Sequence, residues 1–156
     1  LVSVDTRVVN RLIREAVRLG SIPSLRGLEV VKRECPVLDA RLDFLARDRV
    51  GPVLLEAKSC TLVEDGVALF PDAPTARGRR HLETLAGGVA AGMGARVVFV
   101  IQREDGVVFS PNTPLDPAFG RAFSDALSAG VQACAFTCRV GRKGITPYRE
   151  IPVMVP

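Results

Sequence analysis

Asp43, Glu56 and Lys58 are the residues whose types and spacing could do chemistry. They read D-x12-E-x-K: an acid, a gap of about one strand and a turn, then acid-x-lysine. The layout suits metal-dependent cleavage of phosphodiesters. Two carboxylates can meet at one Mg2+ (or Mn2+), a hard cation that takes oxygen ligands in octahedral geometry. Such a metal stabilises charge on phosphoryl oxygens and lowers the pKa of a bound water. A lysine beside it can hold or deprotonate the attacking water, or neutralise phosphate charge. By itself the pattern is unspecific, and an edge-strand charge cluster is the competing reading.

The elements around these residues raise its weight. Residues i and i+2 of a strand point to one face, so Glu56 and Lys58 project together. Residues 52–59 (PVLLEAKS) start apolar and show no helical repeat, which predicts a buried strand. Residues 41–47 (RLDFLAR) predict its partner and bring Asp43 alongside. Charged residues that follow Val53-Leu54-Leu55 into a buried strand need a partner or a job.

A helix is expected first, capped by Asp5 or Thr6 and ended by Gly20. Val9, Leu12, Ile13, Ala16 and Val17 make its apolar stripe, with Arg7, Arg11, Arg14 and Arg18 in an arc opposite. That arc is either a phosphate-backbone contact or a solvated face. Strands follow over 29–35, 41–47 and 53–60, joined by short turns that favour antiparallel neighbours. Asp65-Gly66 suggests a hairpin within 61–70, and 70–74 (FPDAP) a rigid loop. A second helix is expected over 75–91 with Thr75 as N-cap. Residues 95–101 (ARVVFVI) predict a strand covered on both faces. A third helix starts at Asp116-Pro117 and ends at Gly130, and 131–140 predict another strand. Residues 141–156, with prolines at 147, 152 and 156, are expected to be irregular.

This order predicts an α/β sandwich around a mixed sheet. A helix, a three-strand meander and a crossover helix to a further strand is the common core of the restriction-endonuclease-like fold.

The chain has 156 residues, enough for one domain with a sizeable core. Apolar residues make up 47%, which excludes a disordered chain. No apolar run is long enough to span a bilayer, and the start LVSVDTRVV lacks the basic segment and apolar core of a signal peptide. A cytoplasmic, non-membrane protein is expected. The net charge of +4 permits a nucleic-acid partner without requiring one. Cys35, Cys60, Cys134 and Cys138 form no C-x-x-C pair, and His81 is the single histidine, so zinc is not expected. Cys134 and Cys138 share a strand parity; all four read as small hydrophobes of a reducing compartment.

The stretches T-R-V-V-N-R-L-I (6–13), R-L-D-F-L (41–45), E-A-K-S-C-T-L (56–62), F-P-D-A-P-T-A-R-G-R-R-H-L (70–82) and F-V-I-Q-R (99–103) resemble the sugar fermentation stimulation protein A (SfsA) family. The resemblance runs in order over nearly the whole chain. It implies an N-terminal OB-like barrel followed by a C-terminal domain of the PD-(D/E)xK kind, DNA binding, Mg2+-dependent DNA cleavage, and a link to sugar, especially maltose, metabolism. Residues 1–156 are expected to be the single nuclease-like domain, with the OB-like domain absent from this chain. Ala40 replaces the family's serine, Ala57 and Cys60 stand where it has valines, and Arg80 where it has lysine. None of these touches Asp43, Glu56 or Lys58.

On this reading Asp43 and Glu56 are metal ligands, with the Ala57 carbonyl as a third. Glu34 on the preceding strand either completes the metal site or is an exposed strand-end charge. Arg77, Arg79, Arg80 and His81 cluster in the first turns of a helix, where the dipole and free N–H groups favour an anion. Phosphate contact is expected for Arg77 and His81, with Arg80 and Arg11 as further DNA contacts. Gln102 ends a strand near the acids and either bonds a phosphate or is a polar terminus. Asn10 faces the site or makes a helix-to-sheet hydrogen bond. Arg142, Lys143 and Arg149 read as solvated tail charges.

Three functions compete. The first is a Mg2+-dependent deoxyribonuclease; the second is a non-catalytic DNA-binding, regulatory module that keeps the fold. The third is an interaction or ligand-sensing domain, against which the absence of Trp and the single Tyr argue for sugar. No helix-turn-helix or zinc-finger pattern occurs, so DNA binding is expected to be largely sequence-independent. A homodimer is open, since such domains often pair to cut two strands.

Overall fold

A computed structural model describes residues 6–155. The cap expected from Asp5 or the Thr6 side chain lies outside the described residues, as do the first residues of the segment read for a signal peptide. The elements run α1 (Thr6–Leu19), β1 (Glu29–Val37), β2 (Ala40–Arg47), β3 (Pro52–Cys60), β4 (Leu62–Glu64), β5 (Val67–Phe70), α2 (Ala76–Ala90), β6 (Gly94–Ile101), β7 (Val108–Pro111), α3 (Pro117–Ser128), β8 (Gln132–Gly141) and β9 (Gly144–Ile151).

The main sheet has six strands in the order β1-β2-β3-β6-β8-β9. β3, β6 and β8 are parallel, while β1-β2-β3 and β8-β9 are antiparallel. This is the restriction-endonuclease-like mixed sheet flanked by helices. The alternation along β3 explains its two faces. Val53, Leu55 and Ala57 pack with Val9, Leu12, Ile13 and Ala16 of α1. Leu54 and Cys60 pack with Leu82 and Leu85 of α2 and Phe119 and Phe123 of α3. Glu56 and Lys58 share the parity of Leu54, so both lie on the α2 side.

Local chemistry places the helices. Thr75 Oγ1 accepts from Gly78 N–H at 2.9 Å, the N-cap that the sequence predicts. Asp116 caps α3 through Phe119 N–H at 3.0 Å, and its other oxygen accepts from Thr75 N–H at 2.9 Å. One carboxylate thus ties the starts of both helices together. Gly88 in the last turn of α2 reflects close approach: a Cβ there would stand 2.5 Å from Leu54 Cδ1.

Two segments differ from expectation. Residues 144–151 are strand β9, paired antiparallel with β8, where an irregular tail is expected. Pro147 is tolerated because β9 is an edge strand and its register is broken between Thr137 and Cys138. Short β7 has no counterpart in the sequence reading; it pairs in parallel with β5, and β4-β5-β7 form a second sheet. Cys60, Cys134 and Cys138 are buried and free, and burial pushes the Cys60 and Cys138 thiols up to about 12. Among the described residues no helix is long and apolar enough to cross a membrane.

Candidate functional site

The β2–β3 ladder runs from Arg47↔Pro52 to Phe44↔Leu55 and stops there. Continued by one pair, it would set Asp43 opposite Glu56. Instead their side chains take over the backbone donors. Asp43 Oδ2 accepts from Ala57 N–H at 2.8 Å, and Glu56 Oε2 accepts from Asp43 N–H at 3.3 Å. The strands part, and a cleft of about 310 Å3 opens at the gap. Its walls include Asn10 of α1, Asp43, Glu56, Lys58, Asp72 and Arg77.

Glu56 is buried, and its second oxygen faces two nitrogen partners. Lys58 Nζ lies 3.6 Å and His81 Nδ1 3.3 Å from Oε1. Lys58 Nζ and His81 Nδ1 are themselves 2.8 Å apart. An ammonium has donors only, so with Lys58 charged the imidazole Nδ1 accepts from it. The three side chains close a triangle against the floor of the cleft. Phe70, also in the wall, anchors that floor to the core through Phe99 and Phe119, with ring centroids 5.6 and 5.3 Å away.

The electrostatics follow. Burial raises the Asp43 carboxyl to about 7, and the neighbouring Glu56, by its charge and a side-chain hydrogen bond, pushes the same way. Burial also works against ionised Glu56, but His81, Lys58 and Asp43 outweigh it and hold its pKa below the ordinary value. Burial lowers Lys58, with the two carboxylates opposing. Two acids crowded so that one binds its proton more tightly mark a place short of positive charge.

That is the test for a divalent cation, and the donors fit in part. Asp43 and Glu56 each carry one oxygen on a backbone N–H and keep lone pairs, and Mg2+ is commonly held by one or two carboxylates plus waters. Among the described residues no three His, Cys, Asp or Glu side chains gather as a metal-holding group.

Glu34 does not join them. The pairs Arg33↔Phe44 and Cys35↔Leu42 set it opposite Asp43. Its φ of 53° is left-handed, however, and its carboxylate reaches out to Arg41 at 4.0 Å, 72% exposed. Of its two sequence readings, the exposed charge is the one the backbone imposes.

His81 differs from expectation too: it is 4% exposed and turned inward, where a phosphate contact is expected. It sits on the same helix stripe as Gly78, Leu82 and Leu85, all buried. Arg77, one turn earlier, is exposed and rims the cleft. Arg80 is exposed on α2 but lines no part of the cleft. Gln102 donates to Ser59 Oγ at 2.8 Å, tying the end of β6 to β3 beside the site. Arg11 points away, paired with Glu15 at 3.1 Å and bonded to Ile145 O at 3.2 Å.

Asp72 is the wall residue that the sequence reading assigns only to a loop. Its signal is position: it follows β5 by two residues, between the Glu56/Lys58 pair and Arg77.

Comparison with known proteins agrees with this architecture. A curated sugar fermentation stimulation protein homolog of Chloroflexus aurantiacus is 45% identical over 153 residues, 98% of this chain and 59% of the relative. One from Desulforamulus reducens is 39% identical over 99% of this chain and 65% of its own length. The chain therefore spans about three fifths of the length of the first curated relatives it matches. A solved structure described as Pyrococcus furiosus SfsA in complex with Ca2+ superposes with a TM-score of 0.91 at 31% identity, over 97% of this chain and 66% of that one. Residues 7–144 match the family described as "Sugar fermentation stimulation protein RE domain", and the chain belongs to that family, SfsA.

Proposed function

We propose that this chain is a DNA-binding module on a nuclease-like fold, with a divalent cation seated between Asp43 and Glu56. The observation that carries it is the crowded acid pair at the mouth of a cleft rimmed by Arg77. A cation would supply there the positive charge that the crowded carboxylates call for. The Ca2+ complex described for the Pyrococcus furiosus relative supports the same chemistry. When bound, Mg2+ or Mn2+ would offer a phosphate oxygen a positive partner at the acids. Arg77 adds a second, and its guanidinium suits a phosphate geometrically.

Binding rather than cutting is favoured by the donor set. Two carboxylates gather, and Lys58 is held by Glu56 and His81 on the cleft floor. Regulation linked to sugar metabolism, which the family resemblance implies, would then act through DNA occupancy. Cleavage is a second reading with its own observation: Lys58 stands two residues from Glu56 on the same face, where it could hold an attacking water.

The test is supercoiled plasmid with Mg2+, Mn2+ or EDTA, beside Asp43→Asn. Retardation without nicking in every lane is the expected result. Metal-dependent nicking lost in Asp43→Asn would replace binding by cleavage. No retardation at low salt would remove both.

A further inference from the structure

The sheet edge farthest from β1 carries a basic groove separate from the acidic cleft. Arg139 lies two residues before the end of β8, Arg142 and Lys143 form the turn into β9, and Arg11 of α1 closes the groove behind Ile145 and Thr146. All four cations are exposed. Among the described residues no carboxylate pairs with Arg139, Arg142 or Lys143; Glu15 pairs with Arg11. Glu104, near the strand end, accepts from Val140 N–H at 3.2 Å.

Two of the four, Arg139 and Arg11, are held in place. Arg139 stacks over the Tyr148 ring, 4.1 Å from its centroid, and Arg149 approaches the same ring at 5.5 Å. Arg11 is bonded to Ile145 O, which fastens α1 to the hairpin. Fixed guanidiniums lose less freedom on meeting an anion. Like charges gathered with so few acids favour a polyanion.

The groove is also placed relative to the cleft. Lys58 is level with Phe99 and Ala135 across the parallel strands. Arg139 is four residues beyond Ala135, roughly 13 Å further, and two strand spacings, about 10 Å, to the side. Asn10 lines the cleft and Arg11 lines the groove, so consecutive residues of α1 serve both. A backbone leaving the cleft at about 3.4 Å per nucleotide meets the groove roughly five nucleotides on.

We propose that the β8–β9 hairpin with Arg11 is a second phosphate-backbone contact, flanking the cleft on the same nucleic-acid strand or duplex. The proposal rests on the DNA-binding reading above and gives that reading a surface. The test is the salt dependence of binding to a 20-bp duplex by Arg142→Gln/Lys143→Gln in the full chain. Lys32→Gln/Arg33→Gln, on exposed β1 at the opposite sheet edge, removes the same charge elsewhere. The slope of log affinity against log salt should fall by about 1 per lost contact in the hairpin variant. It should stay near the wild-type value in the β1 variant. Equal slopes in all three proteins, or equal losses in both variants, would overturn the hairpin contact while leaving DNA binding standing. A wild-type protein that binds no duplex at low salt would overturn both. Since the hairpin residues are exposed, unchanged thermal melting accompanies the expected result.

Discussion

Asp43 and Glu56 cap one another's strands. Asp43 Oδ2 takes the N–H of Ala57, and Glu56 Oε2 takes the N–H of Asp43, where the β2–β3 ladder ends. Parting two strands inside a sheet normally leaves backbone donors unsatisfied. Here the carboxylates satisfy two of them, the N–H groups of Asp43 and Ala57. The same exchange presses the two acids together, and the Asp43 carboxyl, raised to about 7, is its electrostatic consequence.

That raised pKa makes stability depend on pH in an unusual direction. An acid raised in the fold binds its proton more tightly folded than unfolded. Its contribution is therefore greatest below the unfolded value of 3.8 and is lost as pH rises through about 7. Depressed Glu56 works oppositely, but its window closes below the ordinary carboxylate value, so of the two acids Asp43 is the one that titrates between pH 5 and 8. In EDTA, wild-type stability from urea unfolding should fall between pH 5 and 8 by on the order of 1–3 kcal/mol. Asp43→Asn keeps an oxygen for Ala57 N–H and cannot ionise, so its stability should be flatter across that range. A wild-type protein as flat as the variant would mean that Asp43 ionises normally.

His81 supports Lys58 rather than meeting solvent. Removing its ring leaves a buried ammonium with one fewer acceptor and a void beside Glu56. His81→Ala should cost about 2–4 kcal/mol by denaturant unfolding. His81→Asn can place an amide oxygen near the Nδ1 position and should recover part of that loss. Identical costs for the two would show that packing, and not the Lys58 contact, sets the value.

The sequence makes much of this site legible, because charge in the apolar run of β3 is hard to explain otherwise and strand parity sets Glu56 beside Lys58. Thr75 and Asp116 announce two helix starts for equally local reasons. What stays hidden depends on neighbours. The φ of Glu34 diverts a carboxylate that pairing alone would aim at Asp43. His81 is surrounded in sequence by arginines, yet the helical period sets it on the face of Leu82 and Leu85. Strand β9 is concealed by Pro147, which counts against a central strand but not against an edge. With β9 in place, Arg142 and Lys143 change from tail charges into the turn of a basic hairpin.

Asp116 joins the N-termini of α2 and α3, and its hydrogen bonds from Thr75 and Phe119 N–H hold its carboxyl below the usual range. Asp116→Ala removes both bonds and should cost about 2 kcal/mol or somewhat more. Because its pKa is depressed, this contribution is full above the unfolded value of 3.8 and is lost as pH falls through the folded value. The gap between wild type and Asp116→Ala in thermal unfolding should therefore narrow on acidification from pH 6 to pH 3. A gap that stays constant would assign the loss to packing of the helix starts instead.

If a cation sits between Asp43 and Glu56, it must compete with the proton that Asp43 binds more tightly in the fold. Its apparent affinity should then rise with pH until Asp43 is ionised unaided, near 7. Mn2+ at a fixed concentration should raise the melting temperature more at pH 8 than at pH 6, since ligand stabilisation grows with occupancy. The wild-type fold is also weaker at pH 8 without metal, so the metal-free and metal-bound curves should converge as pH falls. Glu56→Gln removes one ligand and also leaves Lys58 without its buried counter-charge, so it confounds binding with folding. Asp43→Asn is the cleaner control: it keeps the Ala57 contact, loses a charged ligand, and should abolish most of the Mn2+ shift at both pH values. A Mn2+ shift of equal size in wild type and Asp43→Asn would place the cation elsewhere on the molecule.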